Sequence, residues 1–172
     1  MGKIIFILGG ARSGKSNYAT ALAGKSGKKV AFIATCQGLD EEMRMRITSH
    51  RKQRPSSWKT FEEPLDIRKA LKNARSGFDA ILIDCLTLLV SNLLLKGVEG
   101  AAIEKKITGI IKELKNMKSD SIIVSNEVGL GIVPENNLAR DFRDIGGRVN
   151  QIVAKEANEV YFLVSGLPVK IK

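Results

Sequence analysis

Short apolar runs of strand length, rich in Ile and Val, recur along the chain at Ile4 to Leu8, Val30 to Ala34, Ala80 to Ile83, Ser121 to Val124 and Val160 to Val164. Stretches with helix-like character separate them. This alternation predicts an α/β fold in which a mainly parallel sheet, reached through right-handed crossovers, carries helices on both faces. A first helix is expected over roughly residues 15–24. After the second strand, Asp40 can cap a helix whose first turn carries Glu41 and Glu42 and whose end carries Arg51, Lys52 and Arg54 before Pro55. Both charge blocks complement the helix dipole. On that helix Met43, Ile47 and His50 share one face, with Arg46 one turn before His50.

Ser57 to Phe61 reads as a short strand, and Pro64 as the opening of a helix that runs to about Arg75. Further helices are expected over Leu86 to Lys96 and Ala101 to Lys118. In the second of these Ile103, Ile107, Ile110, Ile111 and Leu114 fall at helical spacing, and both are assigned to packing. The segment from Ser125 to Asn136 is longer than a bare connection needs and mixes polar side chains, glycines and aliphatics, which suits a lid, a binding surface or a subunit contact. Arg140, Arg143, Asp144, Arg148 and Asn150 follow on a last long helix, where a solvated charged face and a functional face are equally good readings.

Composition narrows the class. With 172 residues, 44% hydrophobic and 27% charged, the chain suits one α/β domain over residues 1–172 and excludes a disordered or stapled miniature fold. The formal charge of +10, from 28 basic and 18 acidic residues, suits a nucleoside triphosphate and equally a nucleic acid. An aromatic content of 5% weighs against a platform that stacks single-stranded bases, so no nucleic-acid partner is expected. Cys36 and Cys85 lack the C-x-x-C spacing of a zinc or redox site and read as reduced thiols of a cytoplasmic protein. Thr87, Ser91 and Asn92 interrupt the longest apolar stretch, Leu86 to Leu95, which is too short to span a bilayer. No basic n-region precedes the first apolar run, so neither a signal peptide nor stable membrane insertion is expected.

The chemistry concentrates in Gly9, Gly10, Ala11, Arg12, Ser13, Gly14, Lys15 and Ser16, which fit G-x-x-x-x-G-K-[ST] between a strand and a helix. In such a P-loop the glycines bring backbone N–H groups close to phosphate oxygens, and the helix N-terminus behind them adds partial positive charge. Lys15 would reach the β- and γ-phosphates of ATP or GTP, and Ser16 would hold Mg²⁺. Asp84, closing the run Ala80 to Ile83, would order the same ion or its waters. His50 is the sole histidine, and beside an apolar stripe it reads first as a structural residue.

Four blocks change that reading: ILGGARSGKS, RITSHRKQRP-SSWKT, SNEVGLGIVPENNLARDFRDIGGRVNQ and VSGLPVKIK. Spread nearly end to end, they resemble the bifunctional adenosylcobinamide kinase/adenosylcobinamide-phosphate guanylyltransferase family. The resemblance implies a RecA-like P-loop fold, a homotrimer, and action late in the assembly of the adenosylcobalamin nucleotide loop. It implies phosphorylation of adenosylcobinamide, then transfer of GMP from GTP through a histidine to adenosylcobinamide phosphate. The family's H-R/K-x-x-R-P pattern maps the carrier onto His50. By the same matching, Gly9 to Ser16, Thr35, Cys36, Arg51, Lys52, Gln53, Arg54 and Glu62 fall in nucleotide-binding segments. Asp84 stands where relatives carry a glutamate, which keeps the carboxylate and shortens its reach by one methylene. Two rivals remain open on residues alone. One is a P-loop kinase of a small alcohol with no covalent intermediate, the other a RecA-like ATPase stimulated by nucleic acid.

Overall fold

The computed structural model of the chain describes residues 2–38, 41–52 and 54–172, without the side chains of residues 42, 43, 46, 49, 50 and 52. The expected Asp40 cap and the side-chain placements of Met43, Arg46, His50, Lys52 and Gln53 lie outside this description. The elements run β1 (Ile4–Gly9), α1 (Lys15–Ser26), β2 (Val30–Ala34), α2 (Glu41–Lys52), β3 (Lys59–Glu62), α3 (Ile67–Asn73) and β4 (Ala80–Asp84). There follow α4 (Leu86–Leu95), α5 (Gly100–Lys115), β5 (Asp120–Val124), α6 (Asn137–Glu156), β6 (Glu159–Val164) and β7 (Leu167–Lys170).

The seven strands form one sheet in the order β3-β2-β4-β5-β1-β6-β7. Every pairing is parallel except β6 with β7. The four central strands are apolar at nearly every position because both of their faces are covered, as parallel strands require. On one face Ile5, Ile7, Phe32, Leu82 and Val124 pack with Ala19 and Ala23 of α1. On the other, Phe6, Ile33, Ile81 and Ile123 pack with apolar residues of α3, α4, α5 and α6. The small residues of α1 let it lie close to the sheet, which brings its N-terminus down to the carboxyl end of β1.

The helix attributed to Pro64 begins at Ile67 instead, because Pro64 and Leu65 bend the chain and Asp66 takes a non-helical N-cap conformation, φ −134° and ψ 76°. The second packing helix stops at Lys115, short of Lys118, where Met117 turns into the core. The antiparallel β7 was not expected. Its turn is the two-residue Ser165-Gly166, with φ of 50° and 84°, the conformation that tight hairpins demand.

The register fixes what meets at the carboxyl edge. Glu62 pairs with Ala34, Ala34 with Asp84, Asp84 with Val124, and Ile7 with Val124. Glu62 and Asp84 therefore lie two strand spacings apart, about 10 Å. The loops that follow β1, β2, β4 and β5 leave the sheet side by side.

A phosphate cradle joined to an arginine-lined cleft

The loop from Gly9 to Ser16 wraps over the end of β1. Gly9 has φ 154°, and a Cβ there would stand 2.6 Å from the Leu163 carbonyl oxygen and 2.7 Å from Ser13 Oγ. Gly14 has φ 91° and serves as N-cap of α1, and a Cβ on it would press on Gly166 Cα at 3.1 Å. Both positions need glycine for conformation and for space. The Gly166 N–H donates to the Ser13 carbonyl at 3.0 Å, so the β6–β7 turn buttresses the loop from outside. Arg12 is exposed at the loop's tip.

Lys15 is buried, and its Nζ donates to the Gly10 carbonyl at 2.5 Å, with Ser13 Oγ 3.4 Å away. Burial lowers its pKa below that of an ordinary lysine, opposed in part by Cys85 and Asp84. Ala11 to Ser16 line a cavity of about 540 Å³ with Asp84, Cys85 and Asn126. This is a polyphosphate-sized space with backbone amides and an ammonium on one wall and a carboxylate on the other.

A second cavity, of about 230 Å³, shares Ser16, Asp84 and Asn126 with the first and continues between Phe32, Cys36, Ile47, Arg51, Arg54 and Glu62. Arg54 lies over the Phe32 ring, 3.5 Å from guanidinium carbon to centroid, and donates to Thr60 Oγ1 at 3.2 Å. Burial lowers its pKa, Asp84 opposing and Arg51 reinforcing that shift. Arg51 forms an ion pair with Glu62 that ties the end of α2 to β3. The stacked, planar guanidinium is held ready for a phosphate or carboxylate.

Thr35 braces the cleft and does not face it. Fully buried, it donates through Oγ1 to the Cys85 carbonyl at 2.7 Å and accepts from the Cys85 N–H at 2.9 Å. Its own N–H donates to the Asp84 carbonyl at 3.2 Å, and its carbonyl accepts from Asn92 Nδ2 at 2.9 Å. The N–H, carbonyl and hydroxyl of Thr35 are thus each engaged within the fold. Its neighbour Cys36 lines the cleft, half-buried and not in a disulfide, while burial pushes the Cys85 thiol up to about 12.

Sequence reading missed the buried polar residues that hold the strand ends. Asn92 of α4 donates to Thr35 and Pro64 carbonyls. The Thr87 and Ser125 hydroxyls lie 3.0 Å apart, Thr87 Oγ1 accepts from the Asn126 N–H at 2.6 Å, and Asn150 Nδ2 donates to the Asn126 carbonyl at 3.1 Å. The usable signal was polar side chains interrupting an apolar helix, which Thr87 and Asn92 supply.

Ser16 and Asp84 offer hard oxygen donors on adjoining walls of both cavities, the chemistry that suits Mg²⁺. Among the described residues no group of three or more His, Cys, Asp or Glu could hold a metal. Mg²⁺ takes few protein ligands where substrate phosphates complete its shell, so the two sparse donors fit the ion. No helix among the described residues is long and apolar enough to cross a membrane.

Comparison with known proteins places these features in a family. Residues 5–171 match the family model described as cobinamide kinase / cobinamide phosphate guanyltransferase. The chain is 43% identical to the bifunctional adenosylcobalamin biosynthesis protein CobU of Escherichia coli (strain K12), over 98% of this chain and 99% of the relative. It is 44% identical to the CobU of Salmonella typhimurium, with the same coverage. It is also 42% identical to CobP of Pseudomonas aeruginosa, over 96% of this chain and 95% of the relative. A P-loop cradle, a carboxylate across from it and near-complete alignment agree: the chain belongs to the cobinamide kinase / cobinamide phosphate guanyltransferase family.

Proposed function

We propose that this chain is a bifunctional transferase of adenosylcobalamin biosynthesis that performs both transfers at one triphosphate site. In the first, the γ-phosphoryl group of ATP or GTP passes to the aminopropanol hydroxyl of adenosylcobinamide. In the second, His50 attacks the α-phosphorus of GTP, pyrophosphate leaves, and a guanylyl-histidine forms. The phosphate of adenosylcobinamide phosphate then displaces the histidine, giving adenosylcobinamide-GDP and free His50.

The observation that carries this reading is the continuity of the two cavities through Ser16, Asp84 and Asn126. The cradle residues Gly9 to Ser16 hold the β- and γ-phosphates, with Lys15 neutralising charge that builds on the transferring group or on departing pyrophosphate. Ser16 and Asp84 would hold Mg²⁺, which would supply Lewis-acid stabilisation of phosphate charge. Cys36, Arg51, Arg54 and Glu62 enclose the nucleoside end. Ile47 and Arg51 of α2 both line that cavity, and position 50 follows Ile47 by three residues, which helical spacing assigns to the same side. The imidazole must be neutral to attack.

The protein acts in the cytoplasm, with neither Cys36 nor Cys85 in a disulfide. It assembles as a homotrimer through apolar residues of the segment after β5. Leu130 and Ile132 there are 81% and 97% exposed, and Val133 and Leu138 are exposed beside them. Adenosylcobinamide incubated with protein and ATP is expected to gain one phosphate by mass, and addition of GTP to convert that product to the GDP derivative. Absence of the first mass shift defeats the kinase assignment, and absence of the second defeats the guanylyltransferase assignment.

A further inference from the structure

Asn126 lines both cavities, and no role has been given to it above. It lies two residues past the end of β5, the strand between β4, which ends in Asp84, and β1, which feeds the phosphate cradle. Its backbone is held on two sides by side chains from different helices. Thr87 of α4 accepts from its N–H at 2.6 Å, and Asn150 of α6 donates to its carbonyl at 3.1 Å. The next residue ties in as well, Glu127 N–H donating to the Gly9 carbonyl at 3.0 Å.

Asn150 is 6% exposed, and its Oδ1 has no hydrogen-bond partner among the described residues. A buried unpaired carbonyl oxygen costs about 1–3 kcal/mol, so packing alone would favour an apolar residue at this place. Its amide does one thing here, which is to fix the peptide of Asn126. Thr87 and Ser125 complete the support and are themselves buried. Three polar side chains in an apolar interior, Asn150, Thr87 and Ser125, thus hold the backbone of one half-buried asparagine at the rim of the phosphate space.

We propose that Asn126 is a further catalytic residue for γ-phosphoryl transfer, its carboxamide N–H donating to an oxygen of the transferring group, and that Asn150 is its positioning residue. This rests on the triphosphate site proposed above. A preorganised donor aimed where charge develops acts on the transition state more than on bound nucleotide, so it changes kcat and leaves ground-state affinity almost alone.

The test measures two transfers from ATP in wild type, Asn126→Ala and Asn150→Leu: to adenosylcobinamide, and the slow transfer to water. Asn126→Ala is expected to lower kcat of both about 100-fold, the loss typical of one removed donor, with the ATP Kd within about threefold. Asn150→Leu is expected to lower kcat about tenfold without raising the ATP KM, while its denaturation midpoint stays close to wild type. An Asn126→Ala enzyme that keeps kcat within about threefold overturns the proposal. So does a loss explained wholly by weaker ATP binding. Should wild type hydrolyse ATP but leave adenosylcobinamide untouched, the assigned substrate fails while the water reaction still decides the role of Asn126.

Discussion

The hydroxyl of Thr35 is bonded twice to one residue, Cys85, donating to its carbonyl and accepting from its N–H across 50 positions of sequence. That pair fastens the carboxyl end of β2 to β4 where the cleft opens. Thr35→Val keeps the shape and deletes both bonds, leaving the buried Cys85 N–H unpaired, while the Cys85 carbonyl keeps only the Leu89 N–H at 3.3 Å. The variant is expected to lose about 1–3 kcal/mol in urea denaturation, and Thr35→Ser to recover most of it. A neutral Thr35→Val contradicts the bracing role.

Lys15 sets the alkaline limit of nucleotide binding. Burial lowers its pKa from the ordinary 10.5, so in the window between the lowered value and 10.5 the unfolded chain binds more protons than the folded one. The Lys15 contribution therefore makes the free protein gain stability as pH rises through that window. Polyphosphate affinity moves the other way, full below the lowered pKa and falling above it. Calorimetry in buffers of different ionisation heat is expected to show proton uptake on ATP binding within the window, and Lys15→Met to abolish it and weaken ATP binding at least tenfold. Equal uptake in the variant assigns the proton elsewhere.

Thiol chemistry reports on the cleft. Cys85 is buried with its thiol pushed up to about 12, whereas Cys36 is half-buried on the cavity wall. A thiol reagent at neutral pH is expected to modify one group in the native protein and a second only after unfolding, with GTP slowing the first reaction. Rapid modification of both native thiols excludes this arrangement.

Assembly can be tested at the most exposed apolar residue. Ile132→Asp places a charge where the chain presents Leu130, Ile132 and Val133 together. Light scattering after gel filtration is expected to give three times the chain mass for wild type and a smaller species for the variant. A monomeric wild type removes the trimer.

Four of the five apolar runs were legible as strands because strands buried on both faces admit few polar residues, β6 was legible by its β-branched and aromatic residues, and the glycine-lysine loop was legible because its chemistry tolerates little variation. Ser165-Gly166 and β7 went unread: the turn is only two residues long, and the strand after it is exposed throughout and carries a proline. Pro64 misled by three residues, since a proline that can open a helix can equally sit in the turn before one. Thr87, Asn92 and Asn150 carry their meaning in partners 24 to 57 residues away. No local pattern encodes such pairings. Thr35 shows the reverse case, a residue picked by family likeness whose N–H, carbonyl and hydroxyl are each engaged within the fold.

The shared-site mechanism stands or falls with His50, and covalent labelling addresses it directly. Protein incubated with Mg²⁺ and GTP labelled at the α-phosphate is expected to retain label through denaturation, stable in base and lost in acid, as a phosphoramidate behaves. His50→Ala is expected to hold no label and to transfer no guanylyl group while still phosphorylating adenosylcobinamide. Full guanylyl transfer by His50→Ala, or undiminished label on it, contradicts the histidine carrier.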